Sequence, residues 1–197
     1  MSAVIFGGTF DPVHNGHVSM AVSAIEEFGF SRLVVVPNGN PPHKTDLSIT
    51  DFAHRYNMVS LAFAGIEDIE ISDYEQRGNH LKYSLYTMRH FRKLYGEDTS
   101  FIIGADSLLS LHKWHEYQTF LKENRLIVFH REGDDTFWDT VDKCKRAYGA
   151  DIRVSSMDYV DISSTQIRRM IKENSLADGI VPDAVMNYIK KEGLYTK

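Results

Sequence analysis

Cysteine is nearly absent: Cys144 stands alone among 197 residues. No disulfide can form within the chain, and a lone thiol on a helical stretch reads as a structural group, not a reactive one. An excess of positive charge is missing too. Twenty-two Lys and Arg face 27 Asp and Glu, a net charge of −5, with a pI near 6.0. Without a basic field the chain is not expected to hold a nucleic-acid backbone, and any phosphate site must rest on a few well-placed donors. No apolar run approaches membrane-spanning length. The opening Met1-Ser2-Ala3-Val4-Ile5-Phe6 has no basic flank and is too short for a signal peptide's apolar region. A cytoplasmic protein without membrane partners is expected. Linkers, repeats and low-complexity tracts are also missing. With 43% hydrophobic and 25% charged residues, the chain suits one substantial α/β domain spanning residues 1–197.

What is present is alternation. Short β-branched or aromatic runs recur at Ala3 to Phe6, Leu33 to Val36, Ile69 to Ile71, Phe101 to Ile103, Leu126 to Phe129 and Ile152 to Val154. They are apolar at consecutive positions, as strands covered on both faces of a parallel sheet must be. Helical stretches separate them. The first spans about Gly16 to Phe28, with Asn15 as N-cap and Gly29 as its stop. Others run from Phe52 to Phe63 behind Thr50-Asp51, from Tyr83 to Leu94, and from Thr136 to Tyr148, with shorter ones after Asp106 and Trp114. Two close the chain, Ser164 to Ile171 and Asp183 to Lys191, with Pro182 at the first position of the latter. Strand–helix alternation implies right-handed crossovers and a doubly wound, Rossmann-like parallel sheet, with a small helical part at the C-terminal end. Six strands suit the order 3-2-1-4-5-6, in which a crevice opens at the carboxyl ends of strands 1 and 4.

The chemically unusual residues fall in the loops at those carboxyl ends. After strand 1 comes Gly7-Gly8-Thr9-Phe10-Asp11-Pro12-Val13-His14-Asn15-Gly16-His17. The two Gly permit a sharp turn and close approach to a ligand. Thr9 and Asp11 offer short polar groups, and Pro12 stiffens the turn. His14 and His17, three residues apart at a helix start, put both rings on one face where free N–H groups and the helix dipole favour anions. That arrangement suits charge building on a phosphorus centre. The same pair could bind zinc with Asp11, or simply be solvated; no third His and no Cys lies nearby. The loop is neither a dinucleotide fingerprint, lacking Gly-x-Gly-x-x-Gly, nor a P-loop, lacking Gly-Lys-Ser/Thr.

Three further stretches follow. Pro37-Asn38-Gly39-Asn40-Pro41-Pro42-His43-Lys44 is stiffened by adjacent prolines and carries a long cation, Lys44, that can reach phosphate or stay solvated. Strand 4 ends in Gly104-Ala105-Asp106, whose carboxylate can accept ribose hydroxyls or cap a helix, with Trp114 and His115 beyond. After strand 6, Asp161-Ile162-Ser163-Ser164-Thr165-Gln166-Ile167-Arg168 gives a hydroxyl cap completed by Gln166, with Arg168 one turn into the helix and its fork free for phosphate.

The run Gly7-Gly8-Thr9-Phe10-Asp11-Pro12-x-His14-x-Gly16-His17 resembles the opening motif of the adenylyltransferase superfamily that shares its His-x-x-His logic with class I aminoacyl-tRNA synthetases. The Ile-Ser-Ser-Thr-x-Ile-Arg run resembles that superfamily's second motif. Pro-Pro-His-Lys, Gly-Ala-Asp with its later Trp, and the tail Val181-Pro182-Asp183 through Gly193-Leu194-Tyr195 are similar to bacterial nicotinate-nucleotide adenylyltransferases, so the resemblance covers nearly the whole chain.

It implies transfer of the adenylyl group of ATP to nicotinate mononucleotide, giving deamido-NAD and pyrophosphate in NAD biosynthesis. His14, His17, Lys44 and Arg168 would be catalytic, as cationic or polarisable donors. Gly7, Gly8, Thr9, Phe10, Asp11, Gly104, Asp106, Ile162, Ser163, Ser164 and Arg168 would hold ATP. Lys44, Ser84, Trp114 and His115 would meet the pyridine mononucleotide, Trp114 by stacking on the nicotinate ring. Mg²⁺ would arrive mainly on the ATP phosphates, with no protein ligands assigned. A homo-oligomer is compatible with the sequence. Alternatives are a transferase of the same superfamily acting on nicotinamide mononucleotide or phosphopantetheine, a nucleotide sensor without turnover, and, more weakly, a metal-dependent hydrolase. The chain departs from the family at Lys82-Tyr83-Ser84-Leu85-Tyr86-Thr87-Met88. Ser84 keeps a hydroxyl there, while Lys82 and Tyr86 replace a Ser and an Asp. Glu75 and Arg77 upstream fit the pattern, but their spacing to the helix departs from it.

Overall fold

The computed structural model describes residues 2–39, 49–77, 83–130, 135–157, 162–175 and 179–196. Six strands form one sheet: β1 (Ala3–Gly8), β2 (Arg32–Pro37), β3 (Ile69–Ile71), β4 (Ser100–Gly104), β5 (Arg125–Phe129) and β6 (Asp151–Val154), ordered β3-β2-β1-β4-β5-β6. Every pairing is parallel, and the expected order is the observed one. Register puts Phe6 beside Ile102 and Gly8 beside Pro37, so the ends of β1 and β2 open at one level.

Alternation along the strands divides the core into two layers. Val4, Phe6, Leu33, Val35, Ile102 and Ile127 face one way, and Ile5, Val34, Val36, Phe101, Ile103, Leu126 and Val128 the other. The first face is covered by α1 (Asn15–Phe28) through Met20, Ala21 and Ala24, and by α2 (Phe52–Ala62) through Met58 and Val59. α7 (Ser164–Lys172) adds Ile167, and α8 (Asp183–Glu192) adds Val185 and Ile189. The second face is covered by α3 (Ser84–Tyr95), α4 (Ala105–Leu109), α5 (Tyr117–Glu123) and α6 (Asp135–Tyr148), through Leu85, Met88, Leu108, Phe120, Phe137 and Val141. Each of the Val, Leu, Ile, Phe and Met side chains contributes about 1.5–3 kcal/mol on full burial, which is why strands apolar at every position are stable here. Cys144 is buried in this second layer, as a structural thiol should be.

Helix starts differ from the sequence expectation in detail. α1 is capped by His14, not Asn15, which is its first helical residue. Gly104, not Asp106, caps α4. Pro182 occupies the cap of α8, one place before its first residue. Asp51 precedes α2 without a side-chain cap bond. No helix among the described residues is long and apolar enough to cross a membrane.

Candidate active site

The chain leaves β1 toward β2 and leaves β4 toward β5, opening the crevice at their carboxyl ends. Gly7 and Gly8 do not make the turn there. Both are still strand, paired with Val36 and Pro37. They are glycine because rings crowd them: a Cβ on Gly7 would meet the Phe101 ring at 2.9 Å, and one on Gly8 the Phe10 ring at 2.9–3.1 Å. The turn comes at Phe10, whose φ of +50° is costly for a bulky residue, followed by a cis Asp11–Pro12 bond. Phe10 is buried with its ring edge-on to Phe6 and to His17.

His14 and His17 form a reciprocal cap. His17 N–H donates to His14 Nδ1 at 3.4 Å, and His14 N–H donates to His17 Nδ1 at 3.2 Å. The rings lie stacked, centroids 3.6 Å apart. Because each Nδ1 accepts, the proton of each neutral ring sits on Nε2, leaving two Nε2–H donors side by side. Burial pulls His14 down to about 4. His17 lies well below the usual histidine value, through burial first and then the neighbouring His14. The pair is therefore uncharged at neutral pH, not cationic, and its ring N–H groups are hydrogen-bond donors.

A buried polar hub holds this loop from behind. Asp11, 5% exposed, accepts the Tyr195 hydroxyl on Oδ1 at 2.6 Å and the Thr50 N–H on Oδ2 at 3.3 Å. Burial and the bond to Asp11 raise the Tyr195 hydroxyl well above its ordinary value, so it remains a donor. Beside them Arg55 is 1% exposed. Its Nε donates to the Thr50 carbonyl at 2.8 Å, one terminal nitrogen to the Thr9 carbonyl at 2.8 Å, and the other to the Asn38 and Gly39 carbonyls at 2.8 and 3.3 Å. One guanidinium thus ties together the loops after β1 and β2 and the lead into α2. Burial lowers its pKa, and the charges of Asp11, Tyr195, Glu75 and Asp51 oppose that.

The second motif meets the first on the same face of the sheet. Ser163 caps α7 in a capping box with Gln166, as the sequence predicts. Ser164 donates to the Pro12 carbonyl at 2.9 Å, and Arg168 donates to the Asp11 carbonyl at 2.7 Å and to Thr165 Oγ1 at 3.3 Å. The Arg168 fork is thus partly engaged with the first loop, where the sequence suggested it was free. Ile162 packs against the first core layer. The starts of α1 and α7, both favourable to anions, are stitched to one loop.

On the other side, Phe101 connects Gly7 to Trp114, edge-on at 6.4 Å. Trp114 is half-buried and also packs on Phe120. His115 stacks on Tyr83 at 4.1 Å, which brings the Trp114–His115 segment to the start of α3, where Ser84 is the first residue. The Tyr86 hydroxyl lies 3.3 Å from His115 Nε2 and donates to Glu116 at 3.3 Å, so this departure from the family pattern joins the same group. Thr87 donates to Glu75 at 2.7 Å beneath it. Gly104 has open space around its Cβ position, and Asp106 is exposed in the first turn of α4. Lys44, with the rest of the Pro-Pro-His-Lys run, and Lys82 lie outside the described residues. Sequence reasoning did not find Arg55, or the use of Tyr195 and Tyr83.

A doubly wound sheet whose first loop carries paired imidazole donors, faced by a second helix start, is the site of a nucleotidyltransferase. Residues 5–170 match the cytidylyltransferase-like family. A probable nicotinate-nucleotide adenylyltransferase of Clostridium tetani is 40% identical over 194 residues, covering 97% of each chain. One from Thermotoga maritima is 36% identical over 188 residues, covering 94% of this chain and 89% of that one. The structure of Plasmodium falciparum nicotinic acid mononucleotide adenylyltransferase complexed with NaAD shares the fold, with a TM-score of 0.79 at 19% identity, covering 98% of this chain and 97% of that one. The chain belongs to the cytidylyltransferase-like family and, within it, to the nicotinate-nucleotide adenylyltransferases of NAD biosynthesis.

Proposed function

We propose that this chain joins the phosphate of nicotinate mononucleotide to the α-phosphorus of ATP. A phosphate oxygen of the mononucleotide forms the new bond to the α-phosphorus, the bond from that phosphorus to the bridging oxygen breaks, and pyrophosphate leaves. The nucleophile is already an anion near neutral pH, so no general base is needed, and catalysis reduces to in-line positioning and charge stabilisation. The observation that carries this reading is the reciprocal His14–His17 cap, which fixes two Nε2–H donors at the start of α1. They and Arg168 stabilise the triphosphate as charge shifts onto the leaving pyrophosphate. Charge arriving beside the imidazoles favours their protonated forms.

ATP is held by the segment from Gly7 to Asp11 at the end of β1, by Gly104 and Asp106, and by Ile162, Ser163 and Ser164 at the start of α7. Lys44 adds a cation to the phosphates. Ser84, Trp114 and His115 receive the pyridine nucleotide. Mg²⁺ fits this donor set as a passenger of ATP. The two Asp11 carboxylate oxygens are already bonded to Tyr195 and Thr50, and no group of three His, Cys, Asp or Glu suited to a metal occurs among the described residues. Bound with ATP, the ion neutralises phosphate charge. The reaction belongs to the cytoplasm, where ATP and pyridine nucleotides meet.

Pyrophosphate release, measured with nicotinate mononucleotide, nicotinamide mononucleotide and phosphopantetheine side by side, tests the proposal. The highest kcat/KM is expected with nicotinate mononucleotide. Preference for the amide or for phosphopantetheine reassigns the acceptor, and no release with any of them overturns the proposal.

A further inference from the structure

The mechanism leaves one buried group unexplained. The Asp11 carboxylate sits in the middle of the phosphate loop yet is turned away from it, onto a hydroxyl that comes from 184 residues further along the chain. A carboxylate this buried requires partners, and the protein obtains one by folding its tail back. α8 ends at Gly193 in the left-handed conformation, Leu194 N–H bonds the Ile189 carbonyl, and Tyr195 itself takes a φ of +65°. A left-handed non-glycine backbone costs energy and persists only where its surroundings enforce it. α8 is in turn fixed to α2, where the Tyr188 hydroxyl meets His54 Nδ1 at 2.9 Å and Asn57 at 3.1 Å.

The consequences run forward along the loop. The same Asp11 offers its main-chain carbonyl to Arg168, and the next carbonyl, that of Pro12, accepts from Ser164. Two residues later His14 opens the imidazole cap. Rotation of the Asp11 side chain would therefore be felt at Arg168, at Ser164 and at the histidine pair.

We propose that Tyr195 is a positioning residue for the phosphate loop: its hydroxyl locks the Asp11 carboxylate and so fixes the loop segment that seats Arg168, Ser164 and the His14–His17 pair. The assignment rests on the adenylyl-transfer reading for its kinetic consequence, but not for its structural one.

Tyr195→Phe keeps the ring and removes one oxygen. With ATP and nicotinate mononucleotide, kcat is expected to fall between about 10- and 100-fold, the scale of a small misplacement of catalytic groups. The ¹⁵N resonances of the His14 and His17 rings are expected to shift, and the thermal midpoint to drop by only a few degrees. A purely structural tyrosine would lower the midpoint while leaving kcat of the folded enzyme within about twofold and the imidazole resonances unmoved, and that result overturns the assignment. If the wild-type enzyme releases no pyrophosphate with any acceptor, the adenylyl-transfer reading fails, and the imidazole resonances alone decide Tyr195: shifted supports it, unmoved overturns it. Should Tyr195→Phe fail to fold, 3-fluorotyrosine at position 195 preserves the hydroxyl and strengthens it as a donor. Displaced imidazole resonances in that protein support the assignment, and unchanged ones overturn it.

Discussion

His14 and His17 cap one another: each ring accepts the other's backbone N–H through Nδ1, and the rings stack 3.6 Å apart. A helix start is normally satisfied by a Ser, Thr, Asp or Asn side chain. Using two imidazoles instead satisfies the backbone and sets the tautomer of both rings in one step, which commits both Nε2 atoms to donation.

A pH dependence follows from that state. Unfolded, the His14 ring protonates near 6.5; folded, it resists protonation until about 4. Between those values the unfolded chain binds the extra proton, so stability is complete above the unfolded value and falls as pH drops toward the folded one. For His14 alone the loss is on the order of 3 kcal/mol, and His17 adds a loss of the same sign. Urea midpoints between about pH 7 and pH 5 should decline for the wild type and decline less for His14→Asn. Parallel profiles would refute the neutral pair.

Arg55 should resist conservative replacement. A lysine ammonium cannot reach the Thr50, Thr9 and Asn38 carbonyls together, as the guanidinium fork does. Arg55→Lys is expected to cost roughly 2–4 kcal/mol in urea denaturation, because it strands buried acceptors. A cost below roughly 0.5 kcal/mol, the range of an ordinary surface change, would show that the three loops hold without it.

Two glycines of the site should behave oppositely. Gly8→Ala drives a methyl into the Phe10 ring and should destabilise the protein by roughly 1–3 kcal/mol. Gly104→Ala meets nothing within 4 Å and should leave stability within roughly 0.5 kcal/mol while raising the KM for ATP, as the proposed place of Gly104 in the ATP site requires. Thermal melts and ATP titrations distinguish the two, and an unchanged KM in Gly104→Ala would remove Gly104 from the ATP site.

Trp114→Phe retains an aromatic against Phe101 and Phe120 but offers a smaller face to the pyridine. The KM for nicotinate mononucleotide should rise roughly three- to tenfold, the value of one stacking contact, with the KM for ATP little changed. Equal effects on both substrates would argue for a core role alone.

The sheet was legible because its strands are apolar at consecutive positions, and burial on both faces leaves no other reading for Leu33 to Val36 or Leu126 to Phe129. The motif loops were legible because their chemistry is local. What escaped the sequence is non-local. Arg55 sits between His54 and Tyr56 like any solvated helical arginine, and its burial exists only because carbonyls from positions 9, 38, 39 and 50 converge on it. Gly7 and Gly8 announced a turn, yet their requirement comes from rings, one of them on β4. The charge of the histidines was likewise invisible, since it depends on burial and on which nitrogen the backbone occupies.

The most direct test of the account is the turnover of His17→Ala with ATP and nicotinate mononucleotide, read beside its thermal midpoint. Removing a donor aimed at developing charge should lower kcat by roughly 10²–10³ while the fold persists. A folded His17→Ala enzyme with near-wild-type turnover would contradict the assignment of the imidazole pair to catalysis.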